Sequence, residues 1–112
     1  MQLAQNIVLI TDPEAVENFL QSYEASSKKV KFTWKPPREP NGIINGYIMQ
    51  INEKDVLIHY FNLSNSTNLF AYNVTILCTL YTASMRARTS VGIGNASVQE
   101  FFSMPSRMWY LL

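Results

Sequence analysis

The stretch that most constrains this chain is residues 30–47, VKFTWKPPREPNGIINGY. Val30, Phe32 and Trp34 alternate there with Lys29, Lys31, Thr33 and Lys35, the two-residue period of a strand with one face buried and the other in water. A helix would scatter the same apolar residues around its axis, so the pattern selects a half-buried strand with a basic outer face. Pro36, Pro37 and Pro40 then remove ladder donors, and Asn41-Gly42 suits a backbone with positive φ. The chain must leave its sheet here and return, which it does where Tyr47, Met49 and Ile51 alternate with Ile48, Gln50 and Asn52.

The same reading extends to both sides. Residues 14–24 fit a helix by the spacing of Ala15, Val16, Phe19 and Leu20, or an edge strand over residues 18–23; the strand is preferred because strand and turn follow throughout. Lys28, Lys29 and Lys31 are read within one strand. Downstream, Glu53-Lys54-Asp55 makes a turn, residues 56–61 a strand that carries His59, and residues 62–68 a polar loop. Alternation resumes over residues 69–77 through Tyr72, Val74 and Ile76. Residues 79–89 form the longest strand, with Tyr81, Ala83, Met85 and Ala87 on one face and Thr82, Ser84, Arg86 and Arg88 on the other. Gly92 and Gly94 mark a turn, and residues 96–103 add a last strand. Short strands with turn signals at this spacing predict an all-β antiparallel sandwich without internal repeats.

Composition narrows the function classes. A chain of 112 residues with 47% hydrophobic content fills one core of ordinary size. A net charge of +1 with 15% charged residues lacks the cationic excess of phosphate-backbone binding, so no nucleic-acid partner is expected. The lysines near residue 30 and the pair Arg86 and Arg88 are read as solvated strand faces. Cys78 is the one cysteine; between Leu77 and Leu80 it is read as a small buried hydrophobe rather than a nucleophile. His59 has no second ligand-type residue at a plausible spacing, and neither metal nor cofactor is expected. The compartment is read from acceptor triplets for N-glycans at Asn62, Asn65, Asn73 and Asn95, each followed two residues later by Ser or Thr. Asn62 and Asn65 are favoured because they are expected in a loop. The opening has no basic region and cleavage site of a signal peptide, and no run suffices to span a bilayer. The chain is therefore expected to be part of a longer protein, with no direct membrane insertion by this segment.

Taken in order, several residues resemble the fibronectin type III family: Pro13 at the entry, Trp34 closing the second strand, Pro36-Pro37 and Asn41-Gly42 in the loop, and Gly46-Tyr47 opening the third. Thr79-Leu80-Tyr81, then Ala87, Gly92 and Gly94, is similar to the family's sixth strand and final hairpin. The resemblance implies a seven-stranded immunoglobulin-like β-sandwich over residues 13–104, preceded by a linker or the end of another module (1–12) and followed by a tail or linker (105–112). It further implies Trp34 as central core indole, Tyr47, Leu77 and Ala87 in the core, and Tyr81 as a corner tyrosine whose hydroxyl bonds backbone upstream. One departure stands out, since Leu77 precedes Tyr81 by only four residues with Cys78 in place of the usual turn.

Modules of this kind resemble the beads of receptor and adhesion ectodomains, and the wording of the proline turn is similar to arrays of receptor-type tyrosine phosphatases. The expected role is thus a non-catalytic extracellular module of a plasma-membrane protein, in contact with protein partners or neighbouring fibronectin type III modules, with N-glycans and with catalysis, if any, on a separate domain. Arg38, Glu39 and Asn41 in the first loop and Arg88 and Ile93 near the last hairpin are the candidate partner contacts, expected at one end of the sandwich. The chain contains neither an Arg-Gly-Asp triplet nor a Trp-Ser-X-Trp-Ser motif. Two alternatives remain: an intracellular module of a muscle-type filament protein, and a small enzyme. The second is disfavoured, because the carboxylates lie mostly in turns or near the ends and no motif pairs His59 with a nucleophile.

Overall fold

Alternating apolar residues become seven strands in a computed structural model that describes residues 12–105. The expectations for a linker over residues 1–11 and a tail over 106–112 lie outside the described residues. In chain order the strands are β1 (Glu17–Glu24), β2 (Lys29–Lys35), β3 (Gly46–Glu53), β4 (Val56–Leu63), β5 (Leu69–Asn73), β6 (Leu80–Arg88) and β7 (Ser97–Phe102). They form two antiparallel sheets, β1-β2-β5 and β4-β3-β6-β7. This is the expected seven-stranded sandwich, and residues 18–23 lie in a strand, not a helix.

Inner faces meet as the two-residue period dictates. Val30, Phe32 and Trp34 of β2 face Tyr47, Met49 and Ile51 of β3 and Tyr81, Ala83, Met85 and Ala87 of β6 in one buried cluster. Each large side chain so buried contributes about 1.5–3 kcal/mol. Trp34, 4% exposed, packs edge-on against Tyr47 with ring centroids 5.6 Å apart. Aromatic rings also close the flanks of the sandwich. On one side Tyr23 stacks on Phe101 at 6.3 Å, and Ser97 Oγ donates to the Val16 carbonyl at 2.8 Å. On the other, Phe61 of β4 meets Phe70 of β5 at 4.8 Å, and His59 Nδ1 shares a hydrogen bond of 2.6 Å with the Tyr72 hydroxyl.

Several local readings need correction. Lys28 is not in β2; it sits in the preceding turn at φ 55°, which ends the pairing. Strand β4 runs past Phe61 to Leu63, because Asn62 pairs with Ile48 and Leu63 with Tyr47, so Asn62 is a strand residue and not a loop residue. Strand β5 stops at Asn73, and Ile76, expected to continue it, is 50% exposed. Cys78 is exposed, since its φ of 55° at the corner before β6 turns it away from the core; Leu77 beside it is half-buried.

That corner departs from the family wording and is closed by a residue far away in sequence. Tyr81 Oη donates to the Ile76 carbonyl at 2.9 Å. Ser103, fully buried, directs its Oγ to the same carbonyl at 2.8 Å and to that of Thr79 at 3.2 Å, and accepts from Thr79 N at 3.0 Å. Its own carbonyl accepts from Cys78 N at 2.7 Å. A tyrosine and a serine therefore hold the corner together.

Candidate functional site

The outward-facing residues carry whatever recognition the chain performs, because the inward ones are consumed by the core. At one end of the sandwich the loop over residues 38–45 and the hairpin over 89–95 come together with the chain entry. Asn41, at φ 55°, donates through Nδ2 to the Asp12 carbonyl at 3.0 Å, and Asn45 N donates to the Arg88 carbonyl at 2.8 Å. Gly42, at φ 144°, lies against the Thr89 side chain, and a Cβ on Gly94 would run into the Pro13 carbonyl. Arg38 and Glu39 are exposed on this rim, and Ile93 is 47% exposed.

Arg88 has a more specific setting. It projects from the outer face of β6, opposite Gly46. Its Nε donates to Asn45 Oδ1 at 2.9 Å and its Nη1 to Asn62 Oδ1 at 3.1 Å. The guanidinium occupies the space a side chain at position 46 would need, since a Cβ there would lie 2.6 Å from Arg88 Nη2 and 2.9 Å from the Leu63 carbonyl. Arg86, two residues earlier on the same face and opposite Ile48, donates through Nη1 to the Gly94 carbonyl at 3.1 Å. Both arginines are half-buried, so the reading of a freely solvated strand face is corrected: cross-strand acceptors hold them in place.

Beside them is a shallow depression of about 370 Å³ lined by Ile48, Gln50, Tyr60, Arg86 and Ile93. Ile48 belongs to the outer face by register and yet is only 3% exposed, flanked by Arg86 on β6 and Asn62 on β4. Sequence reasoning singled out Arg88 and Ile93 but not Ile48, Tyr60 or Arg86. The signal was an arginine pair at strand spacing facing an isoleucine at an outward position, and pairing it correctly needs the β3–β6 register.

The four acceptor asparagines are all exposed: Asn62 on β4, Asn65 in the loop before β5, Asn73 at the end of β5 and Asn95 before β7. Asn65 Nδ2 donates to the Ile44 carbonyl at 3.3 Å, and the hydroxyl of Ser97, in the Asn95 triplet, is held by Val16. Among the described residues no group of three or more His, Cys, Asp or Glu side chains could hold a metal ion, and no helix is long and apolar enough to cross a membrane.

A family model described as fibronectin type III domain matches residues 14–103. Phosphatidylinositol phosphatase PTPRQ of Homo sapiens is 30% identical over 84 residues, 75% of this chain and 4% of that protein. Its Rattus norvegicus counterpart is 33% identical over 86 residues, 77% of this chain and 4% of that protein. Protein sidekick of Drosophila melanogaster is 33% identical over 73 residues, 63% of this chain and 3% of that protein. The chain thus spans no more than 4% of the length of these relatives. In three dimensions it is similar to domains d3-d4 of the rat CD45 extracellular region, with a TM-score of 0.73 at 23% identity over 82% of this chain and 50% of that one, a likeness of fold. A fibronectin type III domain is a non-catalytic fold. On the match over residues 14–103 and the two-sheet topology, the chain belongs to the fibronectin type III family.

Proposed function

We propose that the chain is an extracellular, non-catalytic module of a cell-surface receptor or adhesion protein, which contacts protein partners and sets the distance to neighbouring modules. The observation that carries this reading is the placement of all four N-glycan acceptors at exposed positions, from which sugars can project into solvent. Its similarity to PTPRQ and sidekick supports it. Spacing has geometric support as well. Pro13 meets Gly94 at the Arg88 end of β6, whereas Ser103 meets Thr79 at the Leu80 end. Entry and exit are therefore separated by the length of a nine-residue strand, about 26 Å at about 3.3 Å per residue.

The intracellular filament reading draws on one specific observation, the exposed lone thiol of Cys78, which suits a reducing compartment. Surface display separates the two. Fused between a cleavable leader and a membrane anchor, the chain should reach the surface of mammalian cells and be stained there by a tag antibody without permeabilisation. Retention inside the cell, while the same chain made in the cytosol folds and melts cooperatively, would count against the extracellular assignment.

A further inference from the structure

The outer face of the β4-β3-β6-β7 sheet holds two cations in an unusual state. Arg88 spends two of its five N–H donors on Asn45 and Asn62, and Arg86 spends one on the Gly94 carbonyl. Every one of these acceptors is neutral, so the guanidiniums are positioned without being neutralised. The carboxylate on this part of β7, Glu100, pairs with Thr82, and Ser84 stands between it and Arg86 along β6. Two like charges thus project side by side from positions two apart on one strand face, and each keeps most of its donors.

We propose that this face binds an extended protein segment carrying an Asp or Glu next to an apolar side chain. Arg86 and Arg88 take the carboxylate, and the depression formed by Ile48, Tyr60 and Ile93 takes the apolar neighbour. The proposal rests on the binding-module reading above and names the partner chemistry. Charge complementarity selects the anion: an incoming carboxylate relieves the repulsion between the arginines and accepts charge-assisted bonds from donors already oriented, so little ordering cost remains. The floor selects a peptide over a sulfated polysaccharide. A polyanion gains from a long row of cations, whereas only two are present here, beside an isoleucine that is 3% exposed and a Tyr60 and an Ile93 that are each nearly half exposed. The bare Cα of Gly46 is part of the same arrangement, since any side chain there would push the Arg88 guanidinium off its two asparagines.

Titration of the 15N-labelled chain tests this, with the blocked pentapeptide Ala-Ile-Glu-Ile-Ala as probe. Four controls accompany it: the glutamine counterpart Ala-Ile-Gln-Ile-Ala, a sulfated heparin tetrasaccharide, and the Arg86→Gln and Tyr60→Ser variants. Amide shifts are expected on Ile48, Tyr60, Arg86, Arg88 and Ile93 and to saturate with the glutamate peptide. Affinity should fall about fivefold or more with the glutamine peptide and with Arg86→Gln, whose amide spectrum away from this face should match that of the parent. Tyr60→Ser should weaken both peptides alike. Equal shifts from the two peptides, shifts centred on another face, or none at millimolar peptide would overturn the proposal. A tetrasaccharide that outcompetes the glutamate peptide at these residues would replace it with a glycan site. All of these outcomes leave the surface-display result standing, so the loss of this site is distinguishable from the loss of the extracellular reading.

Discussion

The corner before β6 offers a double-mutant cycle whose outcome follows from one shared acceptor. The Ile76 carbonyl receives both the Tyr81 hydroxyl and Ser103 Oγ, so Tyr81→Phe leaves it one partner. That change should cost about 0.5–1.5 kcal/mol, the net worth of an ordinary hydrogen bond. Ser103→Ala removes more, since Oγ also accepts from Thr79 N at a fully buried position; an orphaned amide there costs about 1–3 kcal/mol. Combining the two strips the carbonyl of both donors. The double variant should therefore fall below the sum of the singles by about 0.5 kcal/mol or more. Urea unfolding followed by tryptophan fluorescence and circular dichroism supplies the free energies, with equal slopes across variants as the check that the unfolded state is unchanged. Additivity within about 0.3 kcal/mol, or a Ser103→Ala variant as stable as the parent, would refute the shared-acceptor account.

Three further outcomes are expected. Trp34→Ala should lose about 3–5 kcal/mol in urea unfolding followed by circular dichroism, because it empties the space between β2 and Tyr47, whereas Arg38→Ala and Glu39→Ala on the exposed rim should stay within about 0.5 kcal/mol of the parent. The β3–β4 turn places Lys54 and Asp55 at φ 47° and 65°, a conformation that suits Asn-Gly. Lys54→Asn with Asp55→Gly should therefore stabilise the chain by about 1 kcal/mol, read as a higher urea midpoint. Burial raises the phenol pKa of Tyr23, Tyr47, Tyr72 and Tyr81 above the ordinary 10.0. Between unfolded and folded values the native chain binds more protons, so this stability is intact below about pH 10 and is lost as pH rises through the folded values. Melting scans should show that loss, with a shallower slope for Tyr81→Phe.

Strand period made the core legible, since each of Val30, Phe32, Trp34 and Tyr81 alternates with polar or exposed neighbours and lands inside. What escaped depends on residues that meet only through the fold. Ser103 closes a corner 24 residues upstream, and no local pattern announces that contact. Cys78 looked buried because leucines flank it, but its left-handed backbone points it into solvent. Asn62 looked like the start of a loop because polar residues follow it, yet its pairing with Ile48 and its bond to Arg88 extend the strand. The arginine face was half legible. Arg88 and Ile93 lie near a hairpin that draws attention, whereas Arg86, Tyr60 and Ile48 gain meaning only when β3, β4 and β6 are placed side by side. An outward isoleucine that the fold shields is indistinguishable in sequence from one left in water.

The central claim is that this sandwich works outside the cell, and the mass of the secreted chain before and after peptide-N-glycosidase tests it most directly. Secreted from mammalian cells behind a cleavable leader, the chain should lose glycan mass on treatment. Asparagine should be converted to aspartate at one or more of Asn62, Asn65, Asn73 and Asn95, all exposed in the fold. A folded product whose mass does not change, with all four asparagines bare, would contradict it.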